Sequence, residues 1–143
     1  MARSLLSLGS NVGDRGGQLA AARHAIAAHA EIQVIRASSV LENTAILFED
    51  QPDFLNQILE VETRLTPLDL LLFLQALEQE LGRIPRFKYG PREIDLDILS
   101  YDRLKLNTTN LTLPHPGVRD RGFLHRLLAE FGVSPLELED ERS

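Results

Sequence analysis

The chain has 143 residues, 43% of them hydrophobic and 25% charged, with a net charge of −6 and no cysteine. That composition fits one globular domain spanning residues 1–143 and excludes a disordered chain, a disulfide scaffold, a thiolate metal site and a cysteine nucleophile. No run approaches the roughly 18 apolar residues of a spanning helix, and Met1-Ala2-Arg3-Ser4 leads into strand-like sequence instead of a signal peptide, so a cytoplasmic protein without membrane contact is expected.

A first strand is expected over Arg3–Leu8, ending at Gly9-Ser10-Asn11-Val12-Gly13-Asp14. Glycine and asparagine there tolerate positive φ, and Asp14 can cap the helix that follows. The turn lacks both the G-K-[S/T] ending of a P-loop and the G-x-G-x-x-G of dinucleotide binders. Leu19, Ala22 and Ile26 give helical spacing between Arg15 and His29. His24 and His29 have no partner there at metal-ligand spacing and are read as surface or satisfied histidines. Ile32–Val40 returns as a strand. Leu41–Asp53, with Glu49-Asp50-Gln51-Pro52-Asp53, is too polar and proline-broken to be regular.

Phe54–Arg64 alternates as a further strand. The Asn56 amide offers both a donor and an acceptor and could match the edge of an amino-pyrimidinone ring, or it could be a plain exposed strand residue. Thr66-Pro67 opens a second helix as N-cap and N1, which Leu70, Leu71, Leu74, Leu77 and Leu81 carry to Gly82. Gln75 and Glu78, three apart, share a helix face, where they could reach a ligand above the sheet or solvate the helix.

The basic residues are concentrated beyond this point. Residues 83–126 hold 9 Lys/Arg against 5 Asp/Glu in an otherwise acidic chain, which argues against broad nucleic-acid binding and suits a small polyanion. Arg83-Ile84-Pro85-Arg86-Phe87-Lys88-Tyr89 has no regular period and reads as a lid that could bring cations to a triphosphate. The following strand, Gly90–Leu99, places Ile94, Leu96 and Ile98 on one face and Glu93, Asp95 and Asp97 on the other. Two carboxylates roughly 7 Å apart repel by about 2 kcal/mol at an effective dielectric near 20, so a cation between them is expected. Mg²⁺ is often held by one or two carboxylates with substrate phosphates completing its shell, and Arg92 offers a fork for phosphate beside it. An exposed edge strand with solvated acids remains the alternative.

Tyr101–Asn110 reads as a hairpin-like excursion and Thr112-Leu113-Pro114-His115-Pro116 as too proline-rich for regular structure. His115, rigidly placed between prolines, and Arg121 could both contact phosphate or be structural. Leu124–Phe131 is a last short helix, and the acidic tail from Leu136 looks frayed. The order strand, helix, strand, strand, helix, strand predicts an α+β fold, a ferredoxin-like βαββαβ sandwich with helices packed on an antiparallel sheet. That fold alone leaves function open. A nucleotide-sugar transferase using the D-x-D is a second enzyme reading, although 143 residues are short for its usual Rossmann-like scaffold, and a regulatory ferredoxin-like module binding a small ligand is the non-enzymatic one.

Four separated stretches together carry a resemblance. Gly9-Ser10-Asn11, Asp50-Gln51-Pro52-Asp53-Phe54-Leu55-Asn56, Gly90-Pro91-Arg92 with Asp95-Leu96-Asp97, and Pro114-His115-Pro116 with Arg121-Gly122-Phe123 resemble the 6-hydroxymethyl-7,8-dihydropterin pyrophosphokinases of folate biosynthesis, nearly end to end. The resemblance implies transfer of pyrophosphate from ATP to the pterin hydroxymethyl group, leaving AMP. It implies two Mg²⁺ ions on Asp95 and Asp97, and Asn56 with the backbone around Thr44 reading the pterin edge. The ring would lie between Phe54 or Tyr89 and Phe123. Gln75, Glu78, Arg92, Thr112, His115 and Arg121 match nucleotide-site positions, and Arg83 with Arg86 the catalytic loop, Lys88 being the alternative to Arg86. The 43–47 loop lacks the proline and glycine that relatives place before D-Q-P. The partners implied are small molecules, with a monomer or weak homodimer as the assembly.

Overall fold

Alternating apolar residues give the chain its long strands, and helical spacing between them supplies the elements that cover the sheet. The computed structural model describes residues 1–43, 53–83 and 93–134. In chain order these form β1 (Ala2–Ser10), α1 (Arg15–Ala28), β2 (Ile32–Ala37), β3 (Leu41–Asn43), β4 (Phe54–Thr63), α2 (Pro67–Glu80), β5 (Asp95–Tyr101), β6 (Leu106–Asn107), β7 (Thr112–Leu113), α3 (Gly117–Asp120) and α4 (Gly122–Ala129). The main sheet runs β2-β4-β1-β5, with β3 also paired to β4, and every pairing is antiparallel. This is the expected α+β, ferredoxin-like arrangement with helices packed on an antiparallel sheet.

Both long helices begin as their sequences predict. Asp14 Oδ1 accepts from the Gly17 N–H at 3.0 Å, and Thr66 Oγ1 accepts from the Asp69 N–H at 3.1 Å with Pro67 at the first helical position. Leu19, Ala22 and Ile26 of α1 and Leu70, Leu74 and Leu77 of α2 meet Leu6, Leu8, Leu59, Val61, Leu96 and Ile98 on one face of the sheet. Each fully buried leucine there contributes about 1.5–3 kcal/mol relative to leaving it exposed. His24 is exposed, and His29 lies edge-on to Phe73 with its Nδ1 accepting from the Glu31 N–H.

Several expectations are corrected. The opposite face is not only a charged surface, because α4 packs Leu124, Leu127 and Leu128 on Leu5, Ile58 and Leu99. The cause is a register shift: Leu5 faces Ser100 but Leu6 faces Ile98, so Leu99 is an extra residue in β5. Leu41–Asn43, expected to be irregular, pairs as β3 with Asn56, Leu55 and Phe54, which satisfies its backbone. Thr112–Leu113 likewise pairs with β6 despite the neighbouring prolines, closing the Tyr101–Asn110 excursion as a small hairpin. The last helix starts at Gly122 instead of Leu124 and follows the single turn of α3. Among the described residues no helix is long and apolar enough to cross a membrane.

Candidate active site

Alternation along β5 puts Leu96 and Ile98 into the two-helix core and turns Asp95 and Asp97 to the other face, where they sit opposite Gly9 and Ser7 of β1. The helix α4 covers Leu5, Ile58 and Leu99 on that face but leaves the carboxylates partly open, with side-chain exposures of 25% for Asp95 and 29% for Asp97. A cleft of about 230 Å³ opens beside Asp97, and Leu71, Asn110, Thr112 and His115 help line it.

His115 is fixed by three contacts. Its backbone N–H donates to the Leu99 carbonyl at 2.9 Å, Nδ1 accepts from the Gly117 N–H at 2.9 Å, and Nε2 lies 3.7 Å from Asp97 Oδ1. An accepting Nδ1 leaves the proton of the neutral ring on Nε2, facing the carboxylate and the cleft. Burial pushes the His115 pKa below its ordinary value, and the nearby Arg121 charge adds to this against the opposing pull of Asp95. The Arg121 side chain lies against Gly117, where a Cβ would stand 2.8 Å from its Nε.

A second chain of contacts approaches Asp95 from α2. Glu78 is buried, and its Oε2 accepts from both the Leu96 N–H at 2.7 Å and Arg83 Nη1 at 2.6 Å. The same Arg83 nitrogen lies 3.4 Å from Asp95 Oδ1. Burial raises the Glu78 pKa more than the Leu96 and Arg83 hydrogen bonds lower it. Glu78 therefore joins helix to strand and aims Arg83, instead of solvating the helix.

On the other side of the carboxylates, register places Asn56 and Asp95 across from the same residue, Gly9, one on each flanking strand. Asn56 is buried, not exposed, and its Oδ1 has no hydrogen-bond partner among the described residues. A buried amide oxygen without a donor is costly, and a ligand N–H would satisfy it. Phe54, two residues earlier in β4, is half-buried on the same face. The Asn56 amide and the Asp95 carboxylate thus stand about two strand spacings, or roughly 10 Å, apart.

The remaining expected positions fall into three groups. Thr112 joins Asp97 and His115 at the cleft, while Phe123 packs against the α4 cluster and Gln75 is exposed on α2 one turn before Glu78. Thr44, Arg86, Lys88, Tyr89 and Arg92 lie outside the described residues. Leu71, expected only as part of the apolar spacing of α2, also lines the cleft, and neither Gly117 nor the cleft residue Asn110 carries a chemical signature of its own in the sequence.

Among the described residues no three His, Cys, Asp or Glu side chains gather to enclose a metal. What β5 offers is a pair of hard oxygen ligands with open space beside Asp97. This donor set fits Mg²⁺, which dehydrates reluctantly and takes the rest of its shell from water and phosphate.

Comparison with known proteins places the chain in a family. Residues 5–132 match the family model described as 7,8-dihydro-6-hydroxymethylpterin-pyrophosphokinase. The 2-amino-4-hydroxy-6-hydroxymethyldihydropteridine pyrophosphokinase of Bacillus subtilis is 42% identical over 125 residues, covering 87% of this chain and 75% of that protein. That of Aquifex aeolicus is 46% identical over 123 residues, covering 86% and 76%. The folic acid synthesis protein fol1 of Schizosaccharomyces pombe is 41% identical over 86% of this chain but only 17% of its own length. The chain belongs to the 7,8-dihydro-6-hydroxymethylpterin-pyrophosphokinase family: it is an ATP-dependent enzyme of folate biosynthesis that transfers pyrophosphate to the hydroxymethyl group of the reduced pterin, giving AMP.

Proposed function

We propose that Asp95 and Asp97 hold two Mg²⁺ ions together with the ATP triphosphate, and that Asn56 positions the pterin so that its hydroxymethyl oxygen points at the β-phosphorus. When bound, the metal would neutralise triphosphate charge and align the phosphates for in-line displacement. Asn56 Oδ1 accepts from the pterin edge, and Phe54 and Phe123 flank the ring, with Thr44 and Tyr89 as further pterin-side positions. His115 presents its Nε2–H, and Thr112 its hydroxyl, to the nucleotide; Arg121, Arg92, Gln75 and Glu78 belong to the same side. Arg83 and Arg86 bring positive charge to the transferring group. The acceptor oxygen forms a bond to Pβ as the bond from Pβ to the oxygen of Pα breaks; the hydroxyl proton is released and AMP leaves.

The observation that carries this reading is the single row Asn56, Gly9 and Asp95 across β4, β1 and β5, with the unpaired amide oxygen at one end and the carboxylates at the other. A fused bicyclic ring with a one-carbon arm can bridge that distance. Its reactants being small molecules, the enzyme needs no nucleic acid or membrane partner and works in the cytoplasm as one domain, a monomer or weak homodimer. The test is product identity with ATP and 6-hydroxymethyl-7,8-dihydropterin, with Mg²⁺ and with EDTA. AMP that appears only with the metal is expected; ADP as product, or turnover undiminished by EDTA, contradicts the proposal.

A further inference from the structure

Gly9 lies inside β1, where glycine weakens a strand and has no side chain to pack. The usual reason for glycine does not apply, since the positive-φ glycines among the described residues are Gly13, Gly82 and Gly132. Alanine could adopt the backbone of Gly9. What it could not do is fit: a Cβ there would meet Asn56 Nδ2 at 2.9 Å and Phe54 Cδ1 at 3.6 Å. The space that a side chain would fill is occupied by the Asn56 amide, lying across β1 with the Phe54 ring beside it.

The partner at 2.9 Å is the far end of a side chain, so an added methyl is relieved by turning the amide and not by moving backbone. The turn would move Asn56 Oδ1, a buried acceptor that has no partner among the described residues. Gly9 also pairs with Asp95 on its other side, so a methyl here would rise from the floor between the amide and the carboxylate. We infer that Gly9 is a positioning residue for the pterin: its missing side chain holds the Asn56 amide flat and keeps clear the strip of β1 over which the ring and its hydroxymethyl arm lie. This inference rests on the reading of Asn56 as the pterin's partner.

Gly9→Ala, Asn56→Ala and the double variant separate the possibilities. Affinity for 6-hydroxymethyl-7,8-dihydropterin is measured with saturating Mg²⁺ and α,β-methylene ATP, whose bridge between Pα and Pβ cannot be broken by the transfer, and affinity for the ATP analogue and the melting temperature are measured alongside. Gly9→Ala is expected to weaken pterin binding at least tenfold while analogue affinity stays within about twofold. The double variant should then bind pterin within about twofold of Asn56→Ala, because the amide that the methyl displaces is already gone. If Gly9→Ala alone fails to fold but the double variant folds and binds like Asn56→Ala, the contact with Asn56 is upheld by that rescue. Wild-type pterin affinity in Gly9→Ala overturns the inference, as does a double variant that fails to fold or binds tenfold worse than Asn56→Ala. Should Asn56→Ala bind pterin like wild type, the reading of Asn56 fails and takes this inference with it; a loss in Asn56→Ala without one in Gly9→Ala removes this inference only.

Discussion

Glu78 and Arg83 form an ion pair, Oε2 to Nη1 at 2.6 Å, at the point where α2 meets the beginning of β5. The glutamate takes the Leu96 N–H with the same oxygen, so the pair that aims Arg83 at Asp95 also ties the helix to the strand bearing both carboxylates.

The Glu78 pair has a pH signature. Burial holds the Glu78 pKa above its ordinary value of 4.5. A group raised on folding contributes stability that is complete below the unfolded value and is lost as pH rises through the folded one. Wild type should therefore lose stability relative to Glu78→Gln as pH rises from 4.5 through the raised pKa. Melting temperatures of the two proteins across this range check the sign; a difference that stays constant or moves the other way contradicts it.

Asp97→Ala should lower turnover by about three orders of magnitude, near 4 kcal/mol of transition-state stabilisation, if its oxygens help place the triphosphate charge. The fold should persist, because Asp97 is turned away from the two-helix core and its removal relieves repulsion with Asp95. Steady-state rates and a thermal melt of the same preparation check both halves. A low rate accompanied by a collapsed melt would point to a structural role instead.

His115→Ala removes the Nε2–H that faces Asp97 and the cleft. If that N–H donates to a nucleotide phosphate, as proposed, its loss should raise the nucleotide KM about tenfold, near 1.4 kcal/mol. Pterin KM at saturating nucleotide should change less. Kinetics with each substrate varied in turn read the split, and an effect confined to the pterin would place His115 on the wrong side of the site.

Leu124→Ala tests the second core. Leu124 is 1% exposed among Leu5, Ile58 and Leu99, and truncation there should cost about 2–5 kcal/mol by lost burial and the cavity left behind. Urea denaturation measures it. A cost under about 1 kcal/mol would mean that α4 contributes little to holding the sheet.

The legible parts of this chain were those whose signal repeats or whose chemistry is local. Ile94, Leu96 and Ile98 announced the face of β5, and all three are buried. Asp14 and Thr66 announced their helices by capping chemistry. The pairing of Leu41–Asn43 was hidden because three residues are too few for a period, and its hydrogen bonds depend on β4 being alongside. Leu99 was hidden because one extra residue moves it out of step with its neighbours, so the second core could not be read from alternation. Glu78 was visible as a candidate, but its grip on Leu96 and Arg83 depends on where α2 meets the edge of β5. Gly9 and Gly117 are legible only once Asn56 and Arg121 are seen filling the space they leave.

The central claim is that Asp95 and Asp97 form a divalent-dependent triphosphate site. Calorimetric titration of β,γ-methylene ATP into wild type and into Asp95→Ala/Asp97→Ala, each with Mg²⁺ and with EDTA, tests it most directly. Binding to wild type should strengthen at least a hundredfold with Mg²⁺, and in the double variant the metal should make almost no difference. Equal strengthening by Mg²⁺ in both proteins would contradict it.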